Sequence, residues 1–353
     1  MVSGAALDGE GDVTLSSVVA LGGGTGLPVV LAGLRRHLPE RCRITALVTA
    51  ADDGGSSGVL RKQYGVLPPG DIRNCLAALA RVAPEVSAAL QCRFDVGSGP
   101  EHPLGNLLLA ALDMVAADEL AAIRLAARML GIEDVILPST TARVHLVADL
   151  LDGRSVHGES EIARSGSPIK RVRVDPSDAA PASGVLEALR TADAVVIGPG
   201  SLYTSILATL VVPGVVEALA QSPAVRIFIC NAMTEPGETD GYGVAEHVRA
   251  LGAHGLPPEA LDYLVVSTSL IPSKVLAGYA AQGARPVDAD FAAPSEPPVI
   301  VRADLLEPGP VVRHAPDKLG RILRALAASR TKPAGAGAAA GPGRPVRPGL
   351  VRF

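Results

Sequence analysis

The 353 residues are 48% hydrophobic and 19% charged, enough to bury a sizeable core in one large or two modest domains. Trp is absent and aromatics make up only 3%, so that core is aliphatic, and a net charge of -4 excludes a general nucleic-acid binder: an anionic ligand needs a local site. Cys42, Cys75, Cys92 and Cys230 show neither C-x-x-C nor metal-finger spacing, and no secretory signal or membrane-length apolar run is visible. The expectation is a cytoplasmic protein with free thiols, no membrane insertion and no nucleic-acid partner.

Residues 1–16 read as a flexible N-terminus. A short apolar strand, Val18 to Leu21, runs into Gly22-Gly23-Gly24-Thr25-Gly26-Leu27-Pro28, and a helix striped by Val30, Leu31, Leu34 and Leu38 follows from Pro28 to Leu38. Glycines let a ligand approach bare backbone, and the new helix aims free N–H groups and its positive dipole end at an anion, most naturally a phosphate. Leucine at position 27 breaks G-x-G-x-x-G and no Gly-Lys-Ser/Thr follows, so a close strand-to-helix crossing without ligand reads the same residues equally well.

Arg43 to Thr49 is a second strand, ending in Asp52-Asp53-Gly54-Gly55-Ser56-Ser57-Gly58 and a long loop. Asp71, in Gly70-Asp71-Ile72-Arg73-Asn74, reads as the N-cap of a helix, and Asn106 as the N-cap of another from Leu107 to Val115. Asp118 to Leu130 is a helix closed by Gly131. From Val135 to Val174 the text turns short and alternating, a small β-rich excursion with Lys170 and Arg171 on a solvated face. The α/β frame resumes with a helix from Val185 to Arg190 and a strand from Ala194 to Ile197. A second glycine turn, Gly198-Pro199-Gly200-Ser201-Leu202-Tyr203-Thr204-Ser205, leads into a helix through Leu210. Strands Arg226–Asn231, Leu264–Val266 and Val299–Arg302 alternate with helices ending at Leu251 and spanning Ser273–Ala281 and Asp317–Ala327. The basic Pro/Gly/Ala tail, 331–353, cannot bury a core and is expected to be disordered.

Repeated βα units predict one α/β domain over 17–330, a doubly wound, mostly parallel sheet whose ligands gather beyond the carboxyl ends of its strands. The polar, glycine-rich stretches all fall there. Two anion-binding helix starts, at Gly22 and Gly198, suit a diphosphate held between them, with hydroxyls from Ser201, Thr204 and Ser205 that serve equally as caps. Asp52 and Asp53 suit ribose hydroxyls, Mg²⁺ ligation or a solvated turn. Asn231 with Thr234 suits a base or sugar, or simply a polar loop. No zinc spacing or catalytic triad can be drawn from the sequence.

These motifs, in this order and completed by Gly105-Asn106-Leu107-Leu108, Cys230-Asn231-Ala232-Met233-Thr234 and Gly237-Glu238-Thr239-Asp240-Gly241-Tyr242, resemble the bacterial gluconeogenesis-factor (YvcK-like) family. That family is a branch of the superfamily containing 2-phospho-L-lactate transferase (CofD-like). The resemblance spans the chain apart from its N-terminus and tail. It implies a Rossmann-like cytoplasmic regulator that binds UDP-sugars, UDP-N-acetylglucosamine in particular, without an established reaction or required cofactor. It also implies a role in cell shape and cell-wall homeostasis under gluconeogenic growth, with a second copy of the chain and cell-wall synthesis proteins as candidate partners. Tyr279 and Arg313 match the family's UDP-sugar contacts; a tyrosine ring can stack on uracil and a guanidinium can clamp a diphosphate. The ligand-binding set is thus Gly22, Gly23, Gly24, Thr25, Gly26, Asp52, Asp53, Ser56, Ser57, Asp71, Arg73, Asn74, Gly198, Gly200, Ser201, Tyr203, Thr204, Asn231, Thr234, Tyr279 and Arg313. The alternative is a Mg²⁺-dependent transferase of the 2-phospho-L-lactate type, acting on a nucleoside-diphosphate donor with Asp52 or Asp53 on the metal.

Overall fold

In a computed structural model that describes residues 15–95, 101–289, 298–330 and 351–352, the first strand, β1 (Ser17–Gly22), is buried on both faces. Val18 and Ala20 pack into one aliphatic layer and Val19 and Leu21 into the other. Two-sided burial is why the strand reads as an unbroken apolar run. In chain order there follow α1 (Gly26–His37), β2 (Arg43–Val48), α2 (Gly55–Tyr64), α3 (Pro69–Leu79) and α4 (Pro84–Ala89). The paired two-residue strands β3 (Arg93–Phe94) and β4 (His102–Pro103) precede α5 (Leu104–Val115), α6 (Glu119–Met129) and β5 (Val135–Pro138). Next come β6 (His145–Leu150), β7 (Ser155–His157), α7 (Glu159–Ile162), β8 (Ile169–Asp175), α8 (Val185–Thr191) and β9 (Ala194–Ile197). A π-helical turn (Leu202–Leu207) runs into α9 (Ala208–Leu210) and α10 (Val215–Ala220), before β10 (Val225–Ile229), α11 (Val244–Ala253), β11 (Tyr263–Ser267), α12 (Ser273–Ala280), β12 (Val299–Ala303) and α13 (Pro316–Ala327).

The main sheet is parallel, in the order β5-β2-β1-β9-β10-β11-β12. The winding reverses between β1 and β9, so the crevice of a doubly wound sheet opens above those two strands. Both glycine turns leave the sheet there. Among the residues expected in the tail, Val351–Arg352 form a short β13 beside β12; the rest, like residues 1–14, lie outside the described residues. No helix among the described residues is long and apolar enough to cross a membrane.

Four local expectations are corrected. Gly54 to Gly58 is not all loop: α2 begins at Gly55, because the serines and glycines that weaken a helix in isolation are held by tertiary contacts. A Cβ on Gly58 would lie 2.0 Å from the Asp53 carbonyl oxygen, so only glycine lets this helix fold back so tightly. Asp71 is not an N-cap; Pro68 holds that place and Asp71 stands in the first turn of α3. Asn106 lies inside α5, which starts two residues earlier at Leu104, and its side chain is buried. The β-rich excursion starts later than Val135: β5 pairs with β2 in the main sheet, and only β6, β7 and β8 form the separate antiparallel sheet. Lys170 and Arg171 are exposed on it, as expected.

Helices α1 and α13 cross on one face with their backbones nearly touching. A Cβ on Gly33 would lie 2.3 Å from the carbonyl oxygen of Pro316, and one on Gly320 would lie 2.3 Å from that of Gly33. Backbone cannot yield as a side chain does, so Gly320→Ala is expected to cost about 3 kcal/mol, the upper end for overpacking a core. Chemical denaturation of that variant against wild type measures it; an unchanged midpoint would contradict the close crossing.

Candidate functional site

The two glycine turns meet. A Cβ on Gly26 would sit 2.0 Å from the carbonyl oxygen of Pro199, and one on Gly200 would sit 3.3 Å from that of Gly23. Contact leaves no room for a ligand at the Gly26–Pro199 crossing itself. Their outer edges instead wall a cleft of about 370 Å³, completed by the loop after β10, by α12 and by the segment 311–314. Thr25, Gly26, Gly200, Asn231, Thr234, Tyr279 and Arg313 of the expected set share this one cleft.

Each has a physical reason for its place. Thr25 is the N-cap residue of α1 but makes no side-chain cap bond, so the first N–H groups of α1 depend on other partners. The Asn231 amide donates to the Gly200 carbonyl (2.8 Å) and accepts from the Gly200 N–H (3.0 Å). The same amide nitrogen also donates to Glu235 Oε1 at 3.4 Å, so Asn231 holds the second turn while it lines the cleft. The Thr234 hydroxyl accepts from the Arg285 N–H at 3.0 Å. Tyr279 accepts from the Val312 N–H at 3.0 Å, which leaves its half-buried ring on the cleft wall; Arg313 is exposed at the rim.

The remaining residues gather below and beside the first turn. Asp71 accepts from the Gly24 N–H, and Asn74 donates to the Gly24 carbonyl at 3.5 Å. Arg73 donates to Asn74 (2.8 Å) and Asn106 (3.0 Å), Asn106 donates to Ser56 (3.0 Å), and Ser56 bonds His102 Nδ1 at 2.7 Å. Ser57 accepts from the Gly70 N–H at 3.0 Å. Asp52 accepts from the Gly54 N–H at 2.9 Å, and Asp53 ties the excursion in by accepting from the Ser160 N–H and hydroxyl, both at 3.1 Å. Tyr203 and Thr204 turn away from the cleft: Thr204 Oγ1 and the Tyr203 N–H donate to the buried Glu238, and Ser201 bonds Glu235. Gly22, Gly23, Gly24 and Gly198 shape the turns without lining the cleft.

Two groups stand out that the sequence left unassigned, Glu159 and Glu238. Glu159, from α7 of the excursion, lies near Asp52, Asp71, Glu238 and Asp53; burial first, then those charges, push its carboxyl up to about 9. Burial raises Asp71 to about 6, and burial with the neighbouring Glu235 raises Glu238. No local signal marks Glu159, because the excursion that carries it reads as detached from the frame. The oxygen donors are of the kind Mg²⁺ takes. Among the described residues, no three His, Cys, Asp or Glu side chains converge as a ready-made metal site; Mg²⁺ is commonly held through only one or two carboxylates, and Asp52 or Asp53 could supply one.

The chain can now be set beside known proteins. The family model described as 2-phospho-L-lactate transferase CofD matches residues 18–306. The gluconeogenesis factor of Bacillus subtilis is 45% identical over 275 residues, 78% of this chain and 86% of that protein. That of Halalkalibacterium halodurans is also 45% identical over 275 residues, covering 78% of this chain and 84% of the relative. A crystal structure of a UPF0052 family member from Bacillus halodurans superimposes with a TM-score of 0.81 at 40% identity, over 88% of this chain and 99% of that one.

The raised carboxyls set a pH dependence. Between their unfolded values near 4 and their folded values, the native chain keeps protons that the unfolded chain has lost, so stability falls as pH rises through that window. Replacing Glu159 by Gln removes the largest of these penalties. The melting temperature of Glu159→Gln is expected to rise above wild type by a margin that grows from pH 5 to pH 9; a constant margin would show that the carboxyl carries no such burden.

Proposed function

This chain belongs to the 2-phospho-L-lactate transferase CofD family, and on that premise we propose that it is a UDP-sugar-binding regulator that takes UDP-N-acetylglucosamine without turning it over. In this reading the occupied protein acts in the cytoplasm on cell shape and cell-wall homeostasis during gluconeogenic growth, through cell-wall synthesis proteins, and needs no cofactor. One observation carries the reading. The start of α1, the Gly200 turn, the Tyr279 ring and the Arg313 guanidinium, drawn from four distant stretches, surround a single cleft at the switch point of the sheet. A helix start and a guanidinium both favour a phosphate, and an aromatic face beside them favours a base. The names of the relatives support the gluconeogenic setting.

The buried carboxylates favour a second reading, a transferase of the kind for which the family is named, with Asp52 or Asp53 on magnesium. Either would hold the ion through a single carboxylate, as Mg²⁺ sites commonly do. Turnover of a nucleoside-diphosphate donor that requires Mg²⁺ and disappears in Asp53→Asn would promote this reading over the first.

For the leading reading, calorimetry with UDP-N-acetylglucosamine is expected to show binding to wild type. Tyr279→Ala should weaken it roughly tenfold or more, the scale of a lost base–aromatic stack of ~1–3 kcal/mol, while Tyr279→Phe keeps most of the affinity. Arg313→Ala should weaken binding in a salt-dependent manner. A wild-type chain that takes up no UDP-sugar would end the proposal.

A further inference from the structure

The polarity of α5 is inverted. Its inward side carries Gly105, Asn106, Leu109 and Ala110, all buried, and Asn106 is hydrogen-bonded there to Ser56 and Arg73. Asp113, the one charged residue of α5, stands on that side too, beside Leu109 and near Glu119 of α6. The solvent side is apolar throughout. Leu104, Leu108, Ala111 and Val115 follow at steps of four, three and four, which keeps them within about 60° of arc at 3.6 residues per turn. Leu104, Ala111 and Val115 are exposed, Val115 by 78%, and Leu108 is half-buried. Leu107 and Leu112 flank the stripe half-buried, and Met114 is exposed. A surface helix normally turns its polar residues outward, and a contiguous exposed apolar face marks a place where something else packs.

We propose that this stripe packs against its own copy: α5 pairs antiparallel, about a two-fold axis, with α5 of a second chain. Alternating steps of four and three are the spacing by which one helix fits another, each apolar side chain filling a hole on the facing helix. The occupant is a second copy because the stripe is self-complementary. A two-fold axis sets a face against itself, so any charge on it would meet its like, and this face has none. Antiparallel pairing sets Leu104 against the partner's Val115 and Leu108 against the partner's Ala111, large against small at the centre. The ends complement each other as well. α5 has no acid in its first turn and no base in its last, and an antiparallel copy lays the negative end of one dipole beside the positive end of the other. Three residues join α5 to α6, so the two run antiparallel and the exposed Arg128, late in α6, lies by the start of α5. In the pair Arg128 approaches the partner's Asp118, which Arg124 holds only at 3.6 Å, and the partner's Glu119. Arg93, Asp95 and Glu101 share the Arg128 end with mixed sign. A membrane-surface helix is a poorer account, because such helices carry Lys and Arg beside their apolar face and α5 has neither.

Sedimentation velocity on the full chain at micromolar concentration tests the pairing, with circular dichroism to establish that each variant is folded. Wild type is expected to sediment as a dimer, and Ala111→Lys, at the centre of the stripe, as a monomer. Leu104→Glu and Val115→Lys put an acid at the start of α5 and a base at its end, which the isolated helix favours. Each is nevertheless expected to weaken the dimer roughly tenfold or more, as a charge left unpaired in an interface does. An equimolar mixture of the two is expected to recover the dimer, because only antiparallel pairing sets position 104 against position 115. Arg128→Glu is expected to weaken the wild-type dimer several-fold at low salt and less at high salt. A monomeric wild type overturns the proposal, and so does a dimer that Ala111→Lys leaves intact. A mixture that recovers nothing overturns the antiparallel pairing. If wild type instead floats with phosphatidylcholine vesicles and Val115→Lys does not, the face belongs to a lipid surface and the proposal falls. None of these substitutions touches the cleft, so the result stands apart from the UDP-sugar reading.

Discussion

The carbonyl oxygen of Pro199 lies where a side chain on Gly26 would have to be, 2.0 Å from its first carbon. That contact joins the start of α1 to the turn after β9, and it is possible only because both stretches are nearly bare backbone. The cleft depends on it, because the turns would otherwise stand apart and their outer edges would not share a wall. Asn231 secures the arrangement by gripping both the N–H and the carbonyl of Gly200. An amide that spans the two groups of one residue fixes position and rotation together, which a single hydrogen bond cannot do.

Behind this wall carboxylates gather. Asp71 takes the Gly24 N–H from below, while Arg73 is held by the amides of Asn74 and Asn106, not by a carboxylate. Four further carboxylates, Asp52, Asp53, Glu159 and Glu238, lie in the same region. The first turn thus stands between this acidic cluster and a cleft that Glu235 lines and the Arg313 guanidinium borders. Glu159 remains protonated near neutrality because burial and the neighbouring charges make its ionisation costly.

Much of the frame was legible because its signals are local. Apolar runs ending in glycine marked β1 and β9, and acids early with arginines late marked α6. What was misread depended on contacts with distant residues. Asp71 and Asn106 sit where capping residues usually stand, but their side chains turn to Gly24, and to Ser56 and Arg73. Tyr203 and Thr204 follow a glycine turn as phosphate ligands often do, yet Glu238 from a later loop claims the Thr204 hydroxyl and the backbone N–H of Tyr203. The His314 Nε2, which has no hydrogen-bond partner among the described residues, has no signature in the sequence at all, because being unpartnered is a property of a whole neighbourhood.

By itself, then, the sequence determined the alternating α/β frame, the aliphatic core and the glycine turns at strand ends, since each follows from spacing and residue type within a few positions. Only the tertiary structure decided that the turns touch, that seven of the expected residues share one cleft, and that the others hold the turns or one another. The physical reason is that a hydrogen bond is chosen by proximity, and proximity across 50 to 200 residues is set by how the sheet winds.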